Sequence, residues 1–182
     1  MLVIIITLLA TAYLFITSFF WGTRKPGYSQ IRHAISELGE TDSPHQRIVN
    51  AGVFFPVGSM LLLVAYLVYP LGKDIAALSF CIAVGYLIAA IFPCDTGSPF
   101  LGTKRQMIHN LGGIVEYIGG GLALFQISEH SGKLFQIASF VVFAFAFGIL
   151  LRPLAPVRGL IQRIAEVCLL GGLVIAIWLR LC

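Results

Sequence analysis

Charged side chains are scarce in this sequence, and their scarcity limits the class of protein it can encode. They make up 11% of the residues, while hydrophobic residues make up 58%. Soluble domains carry about 25% charged residues, and a soluble fold of 182 residues would need far more polar surface than this. The composition therefore excludes an ordinary soluble domain and indicates a membrane protein.

Motifs that would point to a known chemistry are also missing. The four cysteines show no CxxC or metal-ligand spacing, and the His-Glu-x-x-His motif of metalloproteases does not occur. The net charge of +4 is not gathered into a basic cluster with interleaved aromatic residues, so no nucleic acid partner is expected. Residues 2–21 lack a positive n-region, and we expect them to be kept as a membrane span rather than cleaved as a signal peptide.

What the sequence does have is six apolar runs, each close to the roughly 20 residues that cross a hydrocarbon core. They cover residues 2–21, 47–69, 75–93, 106–127, 134–151 and 160–179. Backbone polar groups must find partners within their own segment in lipid, so these runs are predicted to be helices. We therefore predict an all-α membrane protein, with residues 1–182 forming a single bundle of six transmembrane helices.

The basic residues fall mostly on one side of that bundle. With six spans, loops one, three and five share a side and hold nine of the 12 Lys and Arg residues, which leaves three on the other side. The positive-inside rule places these three loops in the cytoplasm and both termini outside.

The first of these loops, residues 22–46, has a helical pattern of its own. Ser29 is a candidate N-cap and Gly39 a candidate C′ residue. An apolar stripe lies between them at i, i+4 and i+7: Ile31, Ile35 and Leu38. The pattern predicts a short amphipathic helix at the membrane interface between the first two spans, with His33 and Glu37 sharing another face.

Capping signals mark the starts of the second and fourth spans. Ser43 with Gln46, and Thr103 with Gln106, have the spacing of a capping box. Both pairs predict that a helix begins at this point.

An acid lies near the middle of the fourth apolar run. A charged side chain there costs roughly 2.5–3.5 kcal/mol, so Glu116 needs either a hydrogen-bonding partner on a neighbouring helix or a function. His109 lies on the same helical face, with glycines between the two that let another helix approach closely. We therefore predict a cleft walled by His109 and Glu116, with Asn110 beside it.

Other polar residues gather at the same, cytoplasmic side of the bundle, whereas the external half has few. This distribution predicts one polar pocket on the cytoplasmic side. On the sixth span Arg163 and Glu166 are three residues apart, and we expect them to form an ion pair. The candidate binding residues are His33, Ser36, Glu37, Asn50, Asn110, Arg163 and Glu166, and the candidate catalytic residues are Asp95, His109 and Glu116.

Four short motifs carry a resemblance to a known family. They are Tyr-Ser-x-x-Arg-His-x-Ile-Ser-Glu-Leu-Gly at 28–39, Asn-x-Gly at 50–52, Phe-Pro-x-Asp at 92–95 and His-Asn-x-x-Gly at 109–113. In this combination the chain resembles the prokaryotic membrane family catalogued as domain of unknown function 998. The resemblance implies a multi-span helical protein of a prokaryotic cytoplasmic membrane whose polar motifs lie at one end, and it implies no activity.

Two function classes follow from the pocket. In the first, it binds an ion or the head group of a lipid-like amphiphile, as in a small transporter or a lipid-binding protein, and membrane lipids are the partners. In the second, Asp95 and His109 hold zinc or another divalent metal, and Glu116 acts as the general base of an intramembrane hydrolase. We favour the binding role; the sequence decides neither whether the chain is an enzyme nor whether it forms a homodimer.

Overall fold

The computed structural model describes residues 1–148 and 156–181. These residues form helices joined by loops, without a strand in the described part, and the predicted all-α class is confirmed. The six helical rods are α1 (Leu2–Arg24), α2 (Gln46–Val68), α3 (Lys73–Ile91), α4 (Lys104–Ser131), α5 (Lys133–Gly148) and α6 (Arg158–Leu181). Five of them are long and apolar enough to cross a membrane, while α5 is a shorter apolar helix. The predicted fifth span, 134–151, runs on into residues outside the described part.

The third helix is the centre of the bundle. It packs along α2 and also contacts α4 and α6. The contact with α2 is close because Gly58 has no side chain: a Cβ there would lie 3.0 Å from the Leu87 nitrogen and 3.1 Å from the Ala83 carbonyl oxygen. Such small-residue contacts are typical of helices that pack in lipid.

Residues 25–46 and 92–103 lie at one end of the bundle, which we call the loop end. Arg158, the first residue of α6, bonds to both of these loops, so α6 starts at the loop end. At the opposite end His130, near the end of α4, lies 2.9 Å from Asp74 at the start of α3. The described helices therefore run alternately away from and towards the loop end.

The prediction of an amphipathic interfacial helix between Ser29 and Gly39 is not confirmed. The first loop contains one short 3₁₀-helix, Ile35–Gly39, and the residues before it form turns. Of the predicted apolar stripe, Ile35 and Leu38 are buried, but Ile31 is 54% exposed. The stripe thus reflects two residues packed into the bundle rather than the face of a helix.

The loop does not become helical because α6 binds the groups that a helix would use internally. The Arg163 guanidinium donates to the carbonyl oxygens of Gln30 (2.7 Å) and His33 (3.0 Å), and the Leu160 N–H donates to the Ile31 carbonyl at 2.9 Å. The amides of Ala34 and Ile35, which would donate to the Gln30 and Ile31 carbonyls in a helix, donate instead to the Glu37 and Gln162 side chains.

One of the two predicted capping boxes forms in part. The Thr103 hydroxyl accepts the Gln106 N–H at 3.2 Å, while the Gln106 side chain turns away to bond Asp95 and Asn110. The prediction that the Ser43 side chain caps the second span is wrong, because its hydroxyl donates to the Leu38 carbonyl instead.

Two helices contain a wide, π-helical turn. In α2 the turn is Asn50–Phe54, and Pro56 gives a reason for it: proline has no N–H for the Gly52 carbonyl four residues earlier. The Tyr13 hydroxyl of α1 donates to that carbonyl at 2.6 Å. In α4 the turn is Val115–Gly119, and it contains the buried acid discussed below.

Candidate functional site

A cavity of about 600 Å³ extends from the loop end into the bundle. Its wall is mostly apolar and is built by the first and third loops and by all helices except α1. Polar side chains occur in two places on the wall. Near the loop end these are Ser36, Ser98, His109, Asn110 and Arg158, and deeper in the bundle they are Tyr86, Glu116, Tyr117, Gln162 and Glu166.

Two acids form the deep polar part of the cavity. Glu116 on α4 and Glu166 on α6 lie within hydrogen-bonding reach of each other, and they are only 7% and 1% exposed. Glu166 also accepts the Tyr117 hydroxyl at 2.7 Å. Two fully buried oxygens of the pair, Oε1 of Glu116 and Oε2 of Glu166, receive no hydrogen bond from any other described residue. The pair therefore retains unused acceptor capacity.

The π-helical turn and a glycine make room for this pair. In a regular helix neighbouring residues point about 100° apart, but here both Glu116 and Tyr117 are buried and both lie close to Glu166. On α3, Gly85 packs directly on the Glu116 carboxyl group, and a Cβ at that position would collide with it. Any side chain at 85 would push the acid out of place.

Hydrogen bonds connect the pair to the first loop. The Ile35 N–H donates to Gln162 Oε1 at 2.6 Å, Gln162 Nε2 donates to the Tyr117 hydroxyl at 3.0 Å, and that hydroxyl donates to Glu166. The position of the loop and the orientation of the acid are therefore linked through two side chains.

Arg158 holds the two loops together at the mouth of the cavity. It donates to Glu37 Oε1 at 2.6 Å, to the Gly97 carbonyl at 3.0 Å and to the Ser98 carbonyl at 3.2 Å. Glu37 is buried and balances the charge of the guanidinium. Hydrogen bonds to charged groups contribute about 1.5–3 kcal/mol each, so Arg158 holds the two loops together strongly.

A second charged contact joins the same loops. Lys25 lies 2.6 Å from Glu40, whose other oxygen accepts the Gly97 N–H at 2.6 Å. Next to it the Thr41 N–H donates to the Cys94 carbonyl at 2.9 Å. Burial raises the pKa of the Cys94 thiol to about 12, so this cysteine is a neutral packing residue rather than a reactive thiolate.

Asp95 and His109, the predicted metal ligands, have hydrogen-bonding contacts of their own. Asp95 accepts from the Thr103 N–H and hydroxyl and from Arg105, at 2.8–2.9 Å, and it does not line the cavity. The bond from the Thr103 amide, followed by that from Arg105, holds the pKa of this carboxyl below its usual value. His109 lines the cavity, with Nδ1 3.0 Å from the Phe92 carbonyl oxygen. Within residues 1–148 and 156–181, no three His, Cys, Asp or Glu side chains are grouped to hold a metal ion.

The other candidate residues divide between this cavity and other places. Ser36, Asn110 and Glu166 line it, and Glu37 borders it through Arg158. Asn50 donates to the Gly39 carbonyl and lines a separate cavity of about 460 Å³ at the start of α2.

Two expectations are wrong: that His33 and Glu37 share one face of a helix, and that Arg163 and Glu166 form an ion pair. His33 does not meet Glu37, since its ring stacks on Tyr28 and its Nδ1 accepts the Ser29 N–H. Arg163 does not pair with Glu166, since it bonds the carbonyl oxygens of the first loop and the Tyr28 hydroxyl. Burial raises the pKa of that hydroxyl to about 12, so Tyr28 stays protonated and donates to the Ala34 carbonyl at 3.0 Å.

Besides Ser98 of the third loop, four polar residues of the cavity are additional to those singled out in the sequence: Tyr86, Tyr117, Arg158 and Gln162. Their only signal in the sequence is that a polar group occurs within, or at the end of, an apolar run.

One comparison with known proteins gives a match. A family model described as "Protein of unknown function (DUF998)" matches residues 8–179, a range that includes every cavity-lining residue. No curated protein and no solved structure matches the chain.

Proposed function

The chain belongs to this family, DUF998, and because its description assigns no activity, we propose a function from the site: the protein is a polytopic membrane protein that binds a lipid-like amphiphile in its cavity. The observation that carries the proposal is a cavity of about 600 Å³ with an apolar wall and polar groups at both ends. Ligand sites for small molecules typically measure about 300–1,000 Å³ and have this kind of lining. A site for a bare ion would instead be a small cage of converging oxygen ligands.

The lipid-facing surface offers an entry for such a ligand. Ile114 on α4 and Phe147 on α5 line the cavity and are also 55% and 63% exposed. The cavity therefore reaches the outside of the bundle between these two helices, where an acyl chain could enter from the bilayer.

Orientation in the membrane belongs to the same proposal. All six helices cross the membrane, the loop end faces the cytoplasm, and both termini lie outside a prokaryotic cytoplasmic membrane. The alternating helix directions support six crossings, and the nine basic residues of loops one, three and five support the orientation. Arg152 contributes to that count from outside the described residues.

Blocking the cavity tests the proposal. Gly113 lines the cavity, and a Cβ added there meets nothing within 4 Å, so Gly113→Phe fills the space without a backbone clash. Gly171 on α6 is equally open but does not line the cavity, and Gly171→Phe is the matched control. The probe is a long-chain alcohol that carries a photoreactive diazirine, applied to protein in lipid nanodiscs.

We expect the probe to label peptides of the cavity wall, and we expect an excess of unlabelled alcohol to reduce this labelling by competing for the site. Gly113→Phe should reduce the competed labelling several-fold, whereas Gly171→Phe should leave it unchanged. Labelling that no excess alcohol competes, or that Gly113→Phe does not change, would refute an amphiphile site in this cavity.

A metal-dependent lipid hydrolase is the weaker candidate. Asp95 is fully engaged by Thr103 and Arg105 and lies off the cavity, so it supports a role in ordering the start of α4. Glu116 as general base would need a nucleophile or a metal-bound water nearby, and within the described residues no three His, Cys, Asp or Glu side chains are grouped to hold the metal.

A further inference from the structure

The buried acid pair is an unusual end wall for an apolar cavity. Glu116 Oε1 and Glu166 Oε2 have no donor among the other described residues, and both acids line the cavity. Leaving a buried acceptor unpaired costs about 1–3 kcal/mol, and more for a charged group. Such a cost points to a ligand that completes the site.

Among the described residues, no positively charged group is bonded directly to the pair. From α3 the groups that face it are Cys81 and Tyr86, and from α4 it is Tyr117. Arg163 of α6 acts on Glu166 through its charge, but its guanidinium is bonded to the first loop. Within the described residues, no Lys, Arg or His side chain forms a salt bridge with either acid.

Two carboxyl groups in contact in a low-dielectric site cannot both be ionised without a counter-ion. A hydrogen bond between them requires that at least one carry a proton, and a pair with one proton carries a single negative charge. A cation at the same place removes the need for that proton. Tyr86 and Tyr117 line this part of the cavity, and aromatic rings attract ammonium groups.

We propose that the amphiphile has a cationic head group of the ammonium class, that this group binds between Glu116 and Glu166, and that its binding releases one proton from the pair. The charge balances: a pair with one proton carries one negative charge, and the fully ionised pair with a monovalent cation carries the same. The proposal rests on the proposed function, because the apolar cavity must hold the hydrocarbon chain.

The direction of the pH dependence follows from this exchange. When the pair is protonated, the cation must displace a proton, so low pH weakens binding and rising pH strengthens it. With one proton released per cation, affinity should rise about tenfold per pH unit until the pair has ionised.

The test uses dodecyltrimethylammonium, whose charge does not change with pH, and dodecanol as its uncharged counterpart. Both are titrated into protein in zwitterionic nanodiscs from about pH 5 to about pH 8.5, with empty nanodiscs as the blank for partition into lipid. Calorimetry in buffers of different ionisation enthalpy counts the protons released. The variants are Glu116→Gln/Glu166→Gln, which keeps the side-chain volumes, and Glu129→Gln, which changes an exposed acid on the same helix as Glu116.

For the wild type and Glu129→Gln we expect the affinity for the cation to rise with pH and one proton to be released per cation at acidic pH. For the double variant we expect no proton release, no pH dependence and at least a tenfold weaker affinity, while dodecanol still binds. Thermal unfolding of each variant shows whether the fold is kept, and Glu116→Gln or Glu166→Gln alone replaces the double variant if it does not fold.

The two proposals fail in different ways. If neither probe binds in a manner that Gly113→Phe blocks, the amphiphile site itself is refuted. If dodecanol binds but the cation releases no proton, or if the double variant keeps the wild-type pH dependence, the cation site at the acid pair is wrong and the amphiphile site stands.

Discussion

Gly85 shows how much the site depends on single residues. Its Cα lies against the Glu116 carboxyl group, in a place where any Cβ would overlap with that group. Because Glu116 in turn touches Glu166, a methyl group at 85 would displace both acids. The glycine is therefore needed for space at a helix–helix contact rather than for an unusual backbone angle.

We predict that Gly85→Ala lowers the free energy of unfolding by about 1–3 kcal/mol, the usual cost of overpacking. Gly113→Ala is the matched control, since it adds the same methyl group in open space on α4, the helix that Gly85 packs against; it should be neutral or stabilise by up to about 1 kcal/mol. Titration of both variants with a denaturing detergent measures the difference. Equal stabilities would mean that α3 and α4 move apart at no cost, and that the acid pair is not held rigidly.

Glu116 could be singled out from the sequence because an acid in an apolar run is costly wherever the fold puts it. The partners of Arg163 could not be predicted, because three of its five acceptors are backbone carbonyls, which occur at every position of a sequence. The bonds of Asp95 to Thr103 and Arg105 were not predicted either. Prediction from the sequence also gave no weight to Tyr117, since a tyrosine in a membrane helix is common and only its contact with Glu166 makes it special.

At the scale of elements, the first loop and α6 form one unit. Gly159, in the first turn of α6, has no side chain, and a Cβ there would collide with the His33 carbonyl oxygen. Arg163, one turn later, bonds two carbonyl groups of the loop, the Tyr28 hydroxyl and the Gln30 side chain. An arginine is required here because its planar fork of donors reaches several acceptors at once.

We predict that Arg163→Lys loosens the first loop without unfolding the bundle. A single ammonium group cannot reach all the acceptors that the guanidinium bonds. The amides of residues 28–35 should therefore exchange hydrogen at least about tenfold faster, which corresponds to a loss of about 1.4 kcal/mol in local stability. Mass spectrometry of hydrogen exchange measures this. Arg180→Lys, near the far end of α6 and without a hydrogen bond to any described residue, should have no effect. Unchanged protection of residues 28–35 would show that the loop is held without Arg163.

Helices could be predicted from the sequence much better than the loop between them. Apolar length specifies a span, and the observed helices begin and end within a few residues of the predicted runs. The stripe of Ile31, Ile35 and Leu38 was misread because helical spacing is also met by chance in a loop that buries two apolar side chains. The π-helical turns depend on packing between helices. Only the turn in α2 has a signal in the sequence, which is Pro56.

At the scale of the whole molecule, the direction of the chain decides how the cavity is used. In the proposed function, an amphiphile enters between α4 and α5 and reaches the acid pair from the loop end. Protons reach the pair from the same end, so the pH on the side of the membrane that the loop end faces controls protonation of the pair. The number of crossings matters in the same way. Six crossings place both termini on one side, whereas five place them on opposite sides.

The described part of α5 has 16 residues, which makes it the helix whose crossing needs a direct test. We predict that reporter domains fused after Arg24 or within residues 96–103 are cytoplasmic, and that a reporter fused at the C-terminal end is external. The reason for this orientation is the excess of basic residues on one side, nine against three. The reason for an even number of crossings is that α6 starts at the loop end, where Arg158 bonds Glu37 and the 92–103 loop. A pair of reporters, one active only in the cytoplasm and one active only outside, controls for failed expression at each position. A cytoplasmic C-terminal end would mean that α5 does not cross, and the cavity beside it would then open towards the membrane surface rather than into the bilayer.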